Sequence, residues 1–173
     1  MGAITRSYRA SADLTVTALH SLAASATWVA GWTSGTIDNT TNLDIDILIT
    51  AKFTTHASNR QAGYIRVYVY AMLSDAAWPD LFSSGTEGTE GAATIHDTEQ
   101  RDSGLRLAHV IEVDNGASEV YEMPPVSVAS LFGGTLPPKF AIFVTGNATT
   151  TTTAQFAAAG SQVTTKGVGL SAA

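Results

Sequence analysis

Apolar and polar residues alternate with a period of two along much of this chain. Leu43, Ile45, Ile47 and Ile49 interleave with Asp44, Asp46, Leu48 and Thr50, which predicts a strand with one face in a core and its aspartates on the solvent face. The segment Gly63 to Leu73 repeats the pattern, with Ile65, Val67 and Val69 on one face and Tyr64, Arg66, Tyr68 and Tyr70 on the other. The polar connection between them, ending in Gly63, is short enough for an antiparallel pair. Further strands are predicted at 14–20, 27–32, 105–113, 119–123, 140–145, 154–157 and 162–170, each bounded by Gly, Asn, Asp or Ser. Asp114-Asn115-Gly116 is a hairpin signal, because Asn-Gly tolerates the positive φ of a type I′ turn, and it is expected to join the strands on either side.

One short helical turn is expected at 127–134. Ser127 supplies an N-cap and Gly133 a left-handed C-terminal residue, before Pro137 and Pro138 stop the helix. The stretch 83–104 is the longest without periodicity and carries the near-repeat GTEGTEG, so it reads as a long exposed loop. Together these elements predict an all-β fold, an antiparallel β-sandwich or jelly roll, in one domain over 13–173 preceded by an N-terminal arm, 1–12.

Composition narrows the function more by exclusion than by signature. The 173 residues carry a formal charge of -6, leaving no overall field to attract nucleic acid or an anionic membrane, and no nucleic-acid or membrane partner is expected. No apolar run approaches a bilayer span, and the N-terminus, with Arg6 and Arg9 but no apolar stretch after them, does not read as a secretory signal. Cysteine is absent, which excludes disulfides and thiolate chemistry.

The acidic run Asp38, Asn39, Asn42, Asp44 and Asp46 has the oxygen spacing of a calcium loop, but Ile47 and Phe53 stand where such a loop needs Gly and an acid. It reads instead as a turn feeding a strand. His20, His56, His96 and His109 are scattered without metal-ligand spacing, and neither a metal nor a cofactor is expected. His96, Asp97 and Glu99 sit in a polar loop, with nothing to shift their pKa values toward acid-base work. No catalytic motif is present and the chain is expected not to be an enzyme; the strongest alternative pair of carboxylates is Asp44 and Asp46, two apart on one strand. Trp28 and Trp32, four apart, would share a strand face and offer a platform for sugar rings, the alternative to packing.

Four collinear phrases resemble a family of virion proteins from tailed bacteriophages: 19–55, with IDNTTNLD; 63–80, with IRVYVYA followed by Trp78-Pro79-Asp80; 105–114; and 124–150, with SVASLFGG. The resemblance covers most of the chain and implies a small β-sandwich structural protein of the particle. Among virion roles it suggests a capsid decoration, or cement, protein, a trimer clamping the major capsid protein at the head surface after synthesis in the host cytoplasm. In that role Arg6, Tyr8 and Arg9 form a basic and aromatic docking segment, and Tyr68 and Tyr70 the subunit contact. The alternative is a tail fibre, spike or baseplate domain using Trp28 and Trp32 to bind host glycans.

Overall fold

The computed structural model describes residues 3–58, 62–114, 116–148 and 155–172. Its strands are β1 (Ile4–Tyr8), β2 (Ala12–Asp13), β3 (Ala30–Thr33), β4 (Ile37–Asp38), β5 (Asp46–Thr54), β6 (Gly63–Ala71), β7 (Gly91–Thr94), β8 (Arg106–Val113), β9 (Val120–Ser127), β10 (Lys139–Ala148) and β11 (Gln162–Ala172). Two short helices, α1 (Thr98–Gly104) and α2 (Val128–Leu131), interrupt them.

One sheet has the order β1-β11-β5-β9 and the other β7-β3-β10-β6-β8, with β2 and β4 as short additions on β11 and β10. All pairings are antiparallel. Leaving aside the short β2, β4 and β7, the chain visits the sheets in alternation except from β6 to β8, and this is the order of a jelly roll. The all-β sandwich expected from periodicity is therefore the fold. Between the sheets lies the main core, where Ile47, Ile49 and Phe53 of β5 meet Ile65, Val67 and Val69 of β6 and Phe140, Ile142 and Val144 of β10.

Several local expectations are corrected. First, β5 and β6 are not paired; β5 lies between β11 and β9, while β6 lies between β10 and β8. Their apolar faces meet across the sandwich, so the polar connection crosses between layers. Asp114 to Gly116 likewise links strands of different sheets and is no hairpin; Gly116 N–H donates to Asp114 Oδ1 at 2.6 Å, while Asn115 lies outside the described residues. Second, 14–20 is no strand. It holds a 3-10 turn at Thr17–Leu19 that buries Leu19, with Leu14 and Val16 packed half-buried against the core. Third, 83–104 is not an open loop but contains β7 and α1. Of the strand expected at 154–157, Ala154 is outside the described residues and Phe156 makes a single bridge to Thr55.

The 83–104 segment and the residues flanking it build a second core. Leu81, Phe82, Ala93, Ile95 and Leu105 cover the outer face of β6 and β10, burying Tyr68, Tyr70, Ala141 and Phe143. Two glutamates of the near-repeat fasten it: Glu87 Oε1 accepts from the backbone N–H groups of Leu81 (2.8 Å) and Phe82 (2.6 Å). Glu90 Oε1 accepts from Trp32 Nε1 (2.9 Å) and from Ala18 N–H (3.0 Å). Helix α2 is built as expected, with the Ser127 hydroxyl accepting from Ser130 N–H at 3.1 Å and Gly133 at φ +71°.

Candidate interaction surface

The surface starts from the acidic turn. Asp38 Oδ1 accepts from the backbone N–H and hydroxyl of Thr40, which also holds its carboxyl below the usual range. Asn39 is buried and brackets Asp44: its Oδ1 accepts from Asp44 N–H and its Nδ2 donates to Asp44 C=O, both at 2.9 Å. Arg9 Nε donates to both Asp44 carboxylate oxygens, at 2.7 and 2.9 Å, and its Nη2 donates to Asn42 C=O. Asp44, expected on a solvent-facing strand, is thus a buried ion-pair partner. Asp46 Oδ1 accepts from Ala129 N–H at the start of α2. The two carboxylates face different partners and do not form an open pair for acid-base work.

The turn at Asp44 has a backbone cause. Leu43 sits at φ +51°, so the period-two alternation fails before β5 begins at Asp46. Ile47 and Ile49 point inward as expected, but Leu43 is 75% exposed and Ile45 also faces solvent. The braced turn holds an apolar knob outward.

Beside it runs the β1–β11 edge. Strand β1 pairs along its whole length with β11, Ile4 opposite Ala172 and Tyr8 opposite Val168, so the segment expected as a docking arm is an edge strand. Met1 and Gly2 lie outside the described residues. Ile4, Arg6 and Tyr8 share the outward face with Leu170, and Lys166 Nζ lies 5.7 Å from the Tyr8 ring. Arg6 and Tyr8 border a shallow hollow of about 260 Å³ with Ile45, Leu48 and Val168. Arg9, the third residue of the expected docking set, is committed to Asp44 and to the fold. A second hollow, about 440 Å³, lies by Leu43, Leu136 and Pro138.

The remaining site expectations go elsewhere. Tyr68 and Tyr70 are not an exposed contact: both are buried in the second core, where Tyr70 makes edge contacts with Trp78 (5.3 Å) and Phe82 (5.5 Å). Sequence alternation placed them opposite Ile65, Val67 and Val69 correctly; the cover over that face was not visible locally. Trp28 and Trp32 form no sugar platform. Trp32 is fully buried, while Trp28 precedes β3 at φ +62° with the Arg66 guanidinium 4.1 Å over its ring. Asp97 caps α1 by accepting from Gln100 N–H at 2.7 Å, and His96 is exposed, 3.4 Å from Asp80. Among the described residues, no group of three or more His, Asp or Glu is placed to hold a metal, and no helix is long and apolar enough to cross a membrane.

Sequence reasoning missed Asn39, Glu87 and Glu90 as fold-holding groups. The only available signal was an Asn before an acidic turn and two glutamates three apart in a segment otherwise rich in Gly and Thr.

No family model and no curated protein matches the chain. A solved structure titled Desmodium yellow mottle tymovirus is similar over 100% of this chain and 89% of that one, at 11% identity and a TM-score of 0.38. A likeness of that degree assigns no function.

Proposed function

We propose that the chain is a non-enzymatic virion structural protein, a capsid decoration protein that binds the assembled head through the outward β1–β11 surface. The observation that carries this reading is the exposed combination of Ile4, Arg6, Tyr8 and Leu170 on one sheet face, continuous with the rigidly held Leu43 and Ile45. Arg and Tyr offer large contact area with directed hydrogen bonds, and exposed apolar residues grouped around them suit a protein surface. The jelly-roll order supports it by analogy, since viral shell domains use this architecture, though the fold alone does not assign function. The partner is the major capsid protein, and the protein acts as a homotrimer on the capsid surface. A ligand that binds only the assembled shell stabilises it by mass action, and repetition over the shell multiplies a modest contact.

Because β1 is part of a sheet, removing residues 1–12 would disturb the fold along with any docking. The test is therefore made with surface variants. Arg6→Glu combined with Tyr8→Ala should weaken co-sedimentation with isolated heads at least tenfold and leave the thermal unfolding midpoint nearly unchanged. Immunogold labelling should decorate heads, and sedimentation equilibrium should return three times the chain mass. Label confined to tails, or undiminished binding by the double variant, would overturn the assignment.

A further inference from the structure

The two sheets end in four edges of unequal character. Strand β7 has four residues and β1 five, while β9 carries Pro124 and Pro125, which cannot donate to a ladder. Strand β8 has eight residues, no proline, and pairs with β6 alone among the described strands. Its bulge lies near Ala108, and from His109 to Val113 the register with β6 is regular. Leu107 and Val110 on this strand are 48% and 41% exposed. An open edge with exposed apolar side chains is a template for another strand.

Charge selects the occupant. Arg66, Arg101 and Arg106 line one hollow of about 370 Å³ along β8, with Asp102 as its single acid. Arg101 is engaged with that acid through Nε (2.7 Å) and Nη2 (3.0 Å), and with Thr27 C=O through Nη1 (2.6 Å). Arg66 lies over Trp28, and Arg106 makes a 3.5 Å contact with Ser103 C=O; neither has a carboxylate within salt-bridge distance among the described residues. Three of the nine Lys and Arg side chains of a chain with charge -6 thus converge at one sheet edge. The cluster is complementary to carboxylates on an incoming strand, and a second copy pairing β8 with β8 is the competing occupant that the test distinguishes.

We infer that β8 is a strand-addition site for an extended acidic and apolar segment of a partner protein, whose carboxylates meet Arg66 and Arg106 and whose apolar side chains meet Leu107 and Val110. The ladder hydrogen bonds supply affinity, and the alternation of acid and apolar side chains supplies selection. This site is separate from the β1–β11 surface and stands whether or not the chain decorates a capsid.

The test titrates the full chain with a capped octapeptide of alternating valine and glutamate, and with its valine–lysine counterpart, following tryptophan fluorescence and amide hydrogen exchange. Saturable binding of the glutamate peptide alone is expected, with slowed exchange at 109–113. Arg106→Gln should weaken it about tenfold and flatten the salt dependence of the binding that remains, and Val110→Pro should remove the protection. Equal binding of both peptides, no saturation at millimolar peptide, or protection of 109–113 that grows with protein concentration alone would overturn the inference, the last by making a second copy the occupant.

Discussion

Arg9 and Asp44 show how much a single contact decides here. The carboxylate is buried, accepts two hydrogen bonds from one guanidinium nitrogen, and has its backbone bracketed by Asn39. Arg9→Ala should cost about 2–3 kcal/mol in urea unfolding, the range for losing a charged hydrogen-bond partner of a buried group. Arg9→Lys should recover only part of that, since a point charge does not reproduce the guanidinium geometry. A loss below about 0.5 kcal/mol would show that Asp44 finds water instead. Tyr70 is the second residue of this kind. Burial raises its pKa to about 12, against the hydrogen bonds with Thr33 and Gly88 N–H that lower it. A raised folded-state value means that the neutral phenol is favoured: its contribution is complete below the ordinary tyrosine value near 10 and is lost as pH rises through about 12. Wild-type stability should therefore fall between pH 10 and 12, and in Tyr70→Phe that fall should be smaller. Urea unfolding at both ends of the window measures the difference. The other raised tyrosine, Tyr121, is pushed up by burial and by hydrogen bonds to Glu119 and Asp114, and so adds to the same alkaline loss in both proteins.

At the scale of elements, the cover formed by β7, α1 and the turns before them is the least expected part of the molecule. It contains few periodic residues, yet it buries Tyr68, Tyr70 and Phe143. Glu87 holds it by accepting two backbone N–H groups from Leu81 and Phe82. Glu87→Ala should destabilise by about 1–3 kcal/mol, because two donors at the edge of that core lose their acceptor. It should also speed hydrogen exchange of Ile95, whose N–H donates to Val29 C=O, more than that of Ile142 in β10. Uniform acceleration across both would mean that the cover does not open separately. The strands β5 and β6 were legible because their side chains alternate, and β8, β10 and β11 because each is a β-rich run bounded by turn residues. The cover was not, because its hydrophobic residues are spaced by turns and serve a face that only becomes apparent once β6 and β10 are side by side.

For the whole molecule, two surfaces at different edges carry the proposals, and the sequence pointed to one of them for a different reason. Arg6 and Tyr8 stood out as a basic and aromatic segment, but as a loose arm rather than as an edge strand fixed to β11. The arginine hollow of β8 draws on residues 40 positions apart and had no local signature. The sequence by itself determined the β class, the inward faces of β5 and β6, the capped turn of α2 and the lack of a catalytic motif, since each follows from side-chain period, turn chemistry or residue type within a short window. Only the tertiary structure decided which strands pair, that Tyr68, Tyr70 and Trp32 are interior, and that Asp44 is an ion-pair partner of Arg9. Those outcomes depend on which layer covers a face and on contacts between residues far apart in the chain, and hydrophobic alternation is the same whether a face meets solvent, a partner or the chain's own later segments.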